Sequence, residues 1–379
     1  YEQYRPQKVS VANSKPHPGK LVESAAMSIV QPPDPTYKPR ISKEIISSGK
    51  LSEAQLESIV YAGQAHSETL PGTRELDGKQ ETYRKGYFIG DGTGVGKGRE
   101  IAGILLDNWN QGRKKAVWVS QNSPLIDDAK RDVKGIGWDP GLIFNFGKSK
   151  LGAPIQVKEG IAFLGYGLLK SGFNNSKKPV PAGSEGTVKG SRLNQLVDWA
   201  GKDFDGVIVF DEAHNLGNAI AIQGHMGMSR PSETALAGVE LQRRLPNARV
   251  LYVSATGATE VKNLSFADRL GLWGEGTPFP NKRDFIDQIN SGGMAAMEIV
   301  ARDMKSMGNY LARSLSYDDV TYDRLEHTLT PEQRKIYDEL ATAWQGVLQN
   351  INAALEAISP VSRSGRPMVN GKARGNAMS

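Results

Sequence analysis

The sequence predicts an α/β domain built on a mainly parallel sheet, and three observations support that prediction. Short apolar runs typical of buried strands alternate with segments whose apolar residues recur at helical spacing, as in strand–helix–strand units. A glycine-rich segment follows one of these runs, and a pair of acidic residues follows another. With 379 residues, of which 39% are hydrophobic and 23% charged, the composition is that of a globular protein of about two domains.

Six runs are predicted as strands of this sheet, at residues 86–90, 115–120, 141–147, 160–166, 206–210 and 249–254. Several of them end at polar clusters. Open α/β sheets bind their ligands beyond the carboxyl ends of the strands, so these clusters are the first place to look for a site.

The segment GYFIGDGTGVGKGRE, residues 86–100, has the features of a loop that holds phosphate. Glycines let successive backbone N–H groups converge on an anion, and the start of the following helix adds its positive dipole end. The pattern G-x-x-x-x-G-K-[ST] is met at Gly96 and Lys97, whereas Asp91 replaces the first glycine and Gly98 replaces the magnesium-binding hydroxyl. A glycine-rich turn without a ligand is the alternative. The predicted nucleotide contacts are Asp91, Gly92, Thr93, Gly94, Val95, Gly96, Lys97, Gly98 and Arg99.

The segment GVIVFDEAHN, residues 206–215, supplies the second half of a nucleotide site. Its apolar residues form a buried strand, and Asp211 and Glu212 emerge at the carboxyl end of that strand. One carboxylate can hold Mg²⁺ there, and the next can polarise water toward a γ-phosphate. We therefore predict Lys97, Asp211 and Glu212 as catalytic residues, with Asp211 as the metal ligand. A helix cap is the alternative for the acidic pair.

A third run, RVLYVSATGAT at residues 249–259, ends in small hydroxyl residues. Ser254 and Thr256 are predicted to hydrogen-bond the acidic motif, which includes His214. These three residues would pass the state of the γ-phosphate to a nucleic-acid surface or to a second domain. A Ser/Thr turn after a strand is the alternative.

Composition and spacing argue against several other classes. The absence of cysteine excludes disulfides, thiolate zinc sites and cysteine nucleophiles, and the five histidines have no metal-ligand spacing. Residues 281–284 contain the guanine-reading signature N-K-x-D, but they follow prolines and no apolar run, which disfavours a GTPase. No run could span a bilayer and no signal peptide opens the chain, so we expect an intracellular protein without a membrane partner. It would be cytoplasmic or nucleoid-associated in a bacterium or phage, and nuclear in a eukaryote.

The positive charge is concentrated in two tails. Residues 1–40 hold six Lys/Arg against three Asp/Glu, and residues 360–379 hold four against none, so the tails contribute +7 and the rest −1 to the net charge of +6. Both tails lack periodic apolar residues and are predicted to be extended or disordered. Nucleic-acid contact and plain solubility are equally good uses for them.

Together, DGTGVGKG, DEAH and SAT resemble the first half of the motif series of superfamily 2 helicases, and Asp91 at the head of the loop resembles the D-x-x-G-x-G-K of Swi/Snf-type translocases. Over residues 45–345 the chain is most similar to the Strawberry notch family of helicase-like ATPases. The blocks that carry this resemblance are residues 51–66, 90–109 and 241–279. In that family a glycine after the loop lysine is usual, as at Gly98.

The resemblance implies a RecA-like P-loop lobe that binds ATP and Mg²⁺, and it suggests roles for further residues. Gln55 is similar to the glutamine that reads adenine in many of these ATPases. Contacts to a nucleic-acid backbone are expected after two of the strands, where helix caps are the alternative. The residues concerned are Ser120, Gln121, Asn122 and Tyr166. Double-stranded DNA is the favoured track, with RNA left open.

Four parts are predicted along the chain: an extended N-terminal segment (1–40), RecA-like lobe 1 (41–275), a helical extension toward a second lobe (276–358) and a flexible basic tail (359–379). The extension is predicted from helical spacing over 283–313 and from a helix capped by Thr330 with Pro331 in its first turn.

Enzymes of this class use arginines from across the cleft, called arginine fingers, to stabilise the charge that develops on the γ-phosphoryl group. The arginines after Thr256 are expected in helical or tail segments that match no such motif, so a second RecA-like lobe, in cis or in trans, would supply the arginine fingers. The predicted function is the ATP-binding lobe of a nucleic-acid-dependent translocase or remodeller. A nucleotide-binding switch or scaffold without translocation is the alternative.

Overall fold

The computed structural model describes residues 1–172, 191–221, 223–224, 227–228, 230–256, 261–318, 320–321 and 323–357. They form two compact units. Unit 1 consists of Tyr1–Ile220 and Pro231–Ser316, and unit 2 consists of Ala221–Arg230 and the chain from Tyr317 onward. The predicted basic tail, 359–379, lies outside the described residues.

In chain order the strands are β1 (Glu2–Gln3), β2 (Leu21–Glu23), β3 (Arg74–Leu76), β4 (Lys79–Glu81), β5 (Tyr87–Ile89), β6 (Lys115–Ser120), β7 (Ile143–Asn145), β8 (Gly160–Gly165), β9 (Val207–Asp211), β10 (Gln223–Gly224), β11 (Gly227–Met228), β12 (Arg249–Val253), β13 (Tyr310–Leu311) and β14 (Ser314–Leu315). The helices are α1 (Ala25–Ser28), α2 (Lys43–Ser47), α3 (Glu53–Ala65), α4 (Lys97–Asn110), α5 (Ile126–Gly135), α6 (Tyr166–Leu169), α7 (Arg192–Ala200), α8 (Glu233–Arg244), α9 (Lys282–Ser306) and α10 (Pro331–Ala357).

Within the described residues, a seven-stranded sheet in the order β13-β5-β12-β9-β6-β8-β7 forms the centre of unit 1. Its strands pair in parallel throughout, which confirms the predicted α/β fold with a mainly parallel sheet. Each of the six predicted runs contributes one strand. The seventh strand, β13, was not predicted, because residues 310–311 fall in a stretch of helical spacing that the structure ends at Ser306.

The register brings the ends of three strands to one edge of the sheet. Val253 at the end of β12 lies opposite Ile89 in β5 on one side and Asp211 in β9 on the other. Because parallel strands share one direction, the loop after β5, the acidic pair after β9 and the hydroxyl residues after β12 leave the sheet at the same edge.

Alternation along the strands buries both faces of the sheet. On one face Val209 and Leu251 belong to a core with Leu56 of α3 and Ile101 of α4. On the other face the rings of Phe88, Tyr252 and Phe210 stack in a row, with centroid separations of 5.9 and 6.0 Å. A sheet buried on both faces explains why its strands are nearly continuous apolar runs in the sequence.

The N-terminal residues 1–40 contain two short strands and the four-residue helix α1, and part of this segment is buried. Strand β2 pairs antiparallel with β1 and with β14, and the side chains of Tyr4, Leu21 and Met27 are buried. The segment therefore lies against the region through which the chain leaves unit 1 at Ser316.

Helix α9 explains the guanine-reading signature. Asn281 is its N-cap, and the side chain of Asn281 accepts a hydrogen bond from the Asp284 amide at 3.0 Å and donates to the Asp284 carboxylate at 2.9 Å. The N-K-x-D residues therefore begin a helix instead of ending a strand, and the argument against a GTPase stays a prediction. None of the helices in the described residues combines the length and apolar character needed to cross a membrane.

In unit 2, α10 begins as predicted. The Thr330 hydroxyl accepts a hydrogen bond from the Gln333 amide at 3.2 Å, and Pro331 occupies the first turn. Several large apolar side chains of α10, including Trp344, are exposed.

Candidate nucleotide-binding site

The phosphate loop joins β5 to α4. Gly94 and Gly96 have φ angles of 90° and 95°, which are readily adopted by glycine, and α4 begins at Lys97 immediately after them. Thr93 and Gly94 are exposed, whereas Val95 is fully buried in a small core with Tyr4 and other residues. The loop therefore presents its tip to solvent while Val95 anchors it.

Lys97 lies at the start of α4 with a partly buried side chain. Its Nζ donates to the Gly92 carbonyl at 3.4 Å, so the ammonium folds back over the loop. An ammonium above a glycine-rich loop at a helix N-terminus has the charge and the neighbouring backbone N–H groups to hold phosphate.

Gln55 lies beneath the loop, in the first turn of α3. Its Oε1 accepts from the Ser52 amide at 3.0 Å in a capping box, and its Nε2 donates to the Val95 carbonyl at 3.1 Å. Both ends of the amide are therefore bonded to the protein, and in this structure Gln55 supports the loop from below. Its reading of adenine stays a prediction.

Asp91 and Arg99, at the two ends of the predicted contact set, are placed differently. The Asp91 carboxylate is fully buried and forms an ion pair with Arg313, with a shortest N–O distance of 2.7 Å. The Arg99 side chain is exposed beside α5. Any contact of Asp91 with a nucleotide would thus come from its backbone.

The structure gives a steric reason for the glycine after the loop lysine. A Cβ built on Gly98 would overlap the Asp132 carboxylate, which reaches across from α5. Burial raises the pKa of Asp132, while the guanidinium groups of Arg131 and Arg99 oppose that rise. A serine or threonine at position 98 could be accommodated only if Asp132 moved.

The acidic motif is held from two neighbouring strands. The Ser120 hydroxyl, at the end of β6, donates to Asp211 Oδ2 at 2.9 Å, and the Tyr166 hydroxyl, after β8, donates to the Asp211 carbonyl at 2.8 Å. Asp211 Oδ1 accepts from the Glu212 amide at 3.0 Å. Burial raises the pKa of the Asp211 carboxyl, and the Ser120 hydrogen bond opposes that rise.

Glu212 has a left-handed backbone conformation, with φ 50° and ψ 50°. That conformation is uncommon for a residue with a side chain and costs of order 1 kcal/mol. It turns the carboxylate toward His214, whose Nδ1 lies 3.4 Å from Glu212 Oε2 and 3.1 Å from Ser254 Oγ. The hydroxyls of Ser254 and Thr256 are 3.3 Å apart. The predicted coupling residues therefore form one chain of contacts with Glu212.

The predicted nucleic-acid contacts divide into two pairs. Gln121 and Asn122 are exposed immediately beyond β6. Ser120 and Tyr166 are buried and bonded to Asp211, so here they position the acidic motif.

The donors at this edge suit a magnesium ion carried by a triphosphate. Mg²⁺ prefers oxygen ligands and keeps several waters, so one or two carboxylates suffice. Asp211 and Glu212 supply such oxygens, and the Asp211 carboxylate is held in place by hydrogen bonds from Ser120 and from the Glu212 amide. In the described part of the chain, no group of three or more His, Cys, Asp or Glu residues is placed to hold a metal ion, and this edge is no exception.

Two functional features were missed in the sequence. Asp132 explains Gly98, and Arg313 binds Asp91. Neither is in a motif, and each meets the loop only because of the tertiary fold.

The parallel sheet, the glycine loop ending in Lys97 and the acidic pair at the same edge define the class, a P-loop nucleoside-triphosphate hydrolase core. The family described as P-loop containing NTP hydrolase pore-1 matches residues 16–339, and the chain belongs to that family.

Similarity to known proteins extends along most of the chain. The chain is 42% identical over 373 residues to protein Strawberry notch of Drosophila melanogaster, and 41% identical over 373 residues to protein Strawberry notch homolog 1 of Homo sapiens. These alignments cover 97% of this chain but 21% and 25% of the relatives, so the chain spans about a quarter or less of their length. The resemblance predicted from the sequence blocks is confirmed.

Among solved structures, the chain is similar to a Sulfolobus solfataricus SWI2/SNF2 ATPase core domain, with a TM-score of 0.42 and 15% sequence identity. That match covers 89% of this chain and 59% of the other.

Proposed function

We propose that this chain is the ATP-binding lobe of a nucleic-acid-dependent ATPase that moves along or remodels DNA. The observation that carries the proposal is the convergence of the Lys97 loop, the Asp211–Glu212 pair and the Ser254–Thr256 pair at one sheet edge. A strand–glycine turn–helix alone would bind nothing in particular. Joined to an acidic pair on the same edge, it has what a triphosphate and a water nucleophile require.

Each near-side residue has a role that follows from its position. Lys97 binds the β- and γ-phosphates as a point charge, and the loop amides orient them. Asp211, with the hydrogen bond from Ser120, would hold Mg²⁺ through its carboxylate. The ion, when bound, would neutralise charge that develops on the phosphates. Glu212 accepts a proton from the attacking water, and its contact with His214 orients the carboxylate.

The polar chain from Glu212 to Thr256 gives the site a route for coupling. His214 bridges Glu212 and Ser254, and the Thr256 carbonyl accepts a hydrogen bond from Asn263 at 3.2 Å. A change in the position of Glu212 on hydrolysis would therefore alter contacts beyond β12. We propose that this route links the state of the nucleotide to the track or to a second lobe.

The track is proposed to be duplex DNA, because the D-x-x-G-x-G-K form of the loop resembles the Swi/Snf-type translocases. Gln121 and Asn122 are the proposed backbone contacts, since both are exposed where the chain leaves β6. A second RecA-like lobe, in cis or in trans, is proposed to supply the arginines that stabilise the transition state, a contribution of about 10³–10⁵ in rate in related enzymes.

The test compares ATP turnover by residues 1–379 with turnover by a chain that also contains a second lobe, each with and without duplex DNA. We expect the short chain to bind ATP–Mg²⁺ and to hydrolyse it barely above background, and the longer chain to show DNA-stimulated turnover. Gln121→Ala with Asn122→Ala should weaken that stimulation. The scaffold alternative predicts nucleotide binding with no nucleic-acid stimulation in either chain. Brisk DNA-stimulated turnover by residues 1–379 as a monomer would show that no second lobe is needed.

A further inference from the structure

A fully buried arginine lies behind the phosphate loop. Arg313 stands between β13 and β14, in neither a helix nor a tail, so the expectation for arginines after Thr256 is wrong here. Its guanidinium donates to Asp91 from Nε at 3.1 Å and from Nη2 at 2.7 Å, and to Glu100 Oε1 from Nη2 at 2.6 Å. Nη1 lies 3.3 Å from Glu57 Oε2.

Two of the carboxylates bound by Arg313, those of Asp91 and Glu100, lie at the two ends of the loop. Asp91 immediately precedes Gly92, and Glu100 lies in the first turn of α4, three residues after Lys97. One guanidinium therefore joins the chain that enters the loop to the helix that leaves it. Both carboxylates and the guanidinium are fully buried, so water does not compete for these bonds.

The segment that carries Arg313 also lies along the loop backbone. The Gly90 amide donates to the Leu311 carbonyl at 2.7 Å and the Gly92 amide to the Arg313 carbonyl at 2.6 Å. The Arg313 amide in turn donates to Asp91 Oδ1 at 2.9 Å. We name residues 309–316, which end unit 1, the exit segment.

The glycines before and within the loop leave room for the exit segment. A Cβ on Gly90 would lie 2.5 Å from the Tyr310 hydroxyl, one on Gly92 would lie 2.9 Å from Ser314 Oγ, and one on Gly94 would lie 2.5 Å from Leu315 Cδ1. These distances are shorter than side chains tolerate. The glycines of the motif therefore serve the packing of the exit segment as well as the approach of phosphate.

The charges of this cluster make Arg313 hard to replace. Three buried carboxyl groups face one guanidinium, and burial raises the pKa of both Glu57 and Glu100, while the charge of Arg313 opposes that rise. A planar guanidinium can bond several carboxylates at once, whereas a lysine ammonium keeps the charge but cannot span them in the same way.

We propose that Arg313 is a positioning residue for nucleotide binding: it sets the spacing of the phosphate loop through Asp91 and Glu100, and so couples nucleotide occupancy to the exit segment. This inference rests on the proposed binding of ATP at Lys97. By linkage, if the exit segment changes the affinity for ATP, bound ATP must change the stability of the exit segment by the same factor.

The matched control is Arg269, another fully buried arginine, whose guanidinium donates to main-chain carbonyls such as those of Gln242 and Leu245. It lies outside the nucleotide site.

Arg313→Lys and Arg269→Lys are compared with the unaltered chain by thermal unfolding and by titration with a fluorescent ATP analogue and Mg²⁺, at a temperature at which each variant is folded. We expect Arg313→Lys to weaken nucleotide binding at least about tenfold and Arg269→Lys to change it by less than about twofold. Both should lower the unfolding temperature.

Hydrogen exchange of the unaltered chain supplies a readout that needs no variant. ATP–Mg²⁺ should slow exchange of the amides of residues 310–315, and should not do so in Lys97→Ala. The inference is overturned if these amides are unaffected by bound ATP, if folded Arg313→Lys binds ATP normally, or if Arg269→Lys loses as much affinity. Failure of the unaltered chain to bind ATP would instead refute the proposed function.

Discussion

Replacing Gly98 by serine tests the steric explanation of the unusual loop. The change would create the standard G-K-S sequence, and by helix propensity alone it should stabilise α4 by a few tenths of a kcal/mol. The structure predicts the opposite sign, because the new Cβ overlaps the Asp132 carboxylate. Overpacking of this kind typically costs about 1–3 kcal/mol, so the net destabilisation should be about 0.5–2.5 kcal/mol.

A double-mutant cycle with Asp132→Ala isolates that overlap. Removing the carboxylate opens the space that the serine needs, so Gly98→Ser should cost less in the Asp132→Ala background by about 1 kcal/mol or more. The assay is urea unfolding of the four proteins at one pH, with the slopes checked for constancy. Additive effects, or a more stable Gly98→Ser single variant, would refute the argument. The control for the substitution itself is Gly167→Ser, because a Cβ built on Gly167 meets open space. Gly112 also has open space around its built Cβ, but its positive φ of 92° would add backbone strain to any side chain placed there.

Three further predictions concern buried or capping groups. His66 is fully buried, and burial lowers the pKa of its imidazole to about 3. Below about pH 6.5 the unfolded chain therefore binds a proton at His66, whereas the folded chain keeps this imidazole neutral. The contribution of neutral His66 to the free energy of unfolding should therefore be fully present above pH 6.5 and should fall by up to about 1.4 kcal/mol per pH unit as the pH drops. In His66→Gln the urea midpoint should depend less steeply on pH over the same range. Ser120→Ala should lower ATP turnover several-fold more than ATP affinity, measured with a second lobe present, because it frees the Asp211 carboxylate without touching the loop; an equal loss of both would count against its positioning role. Asn281→Ala should cost about 1 kcal/mol as a lost helix cap and leave the preference for ATP over GTP unchanged, and a changed base preference would reopen the guanine-reading interpretation.

Much of the fold could be predicted because apolar runs report burial directly. The strands around Val209 and Leu251 are buried on both faces, and runs of that kind stand out in a single sequence. Strand β13 could not be found in this way, because its two residues follow a long helix and have no pattern of their own. Its place beside β5 depends on pairing across more than 200 residues.

The candidate nucleotide site was predictable where a motif is local, and not where partners are distant in sequence. Lys97, Asp211 and Glu212 each follow a recognisable strand. Tyr166 follows one too, but its spacing could not show that its hydroxyl is bonded to the Asp211 carbonyl. The partnership of Asp91 with Arg313 joins residues 222 positions apart, and only the folded chain reveals it.

Binding and turnover of ATP by two variants test the central claim most directly. The claim is that Lys97 holds phosphate and Glu212 acts on water. Lys97→Ala should remain folded, because it keeps the loop glycines, and should lose ATP–Mg²⁺ binding. Glu212→Gln should bind ATP–Mg²⁺ normally and, joined to a second lobe, turn it over at least about a hundredfold more slowly than the parent. Unchanged ATP affinity in a folded Lys97→Ala protein, or equal losses of binding and turnover in Glu212→Gln, would contradict the account.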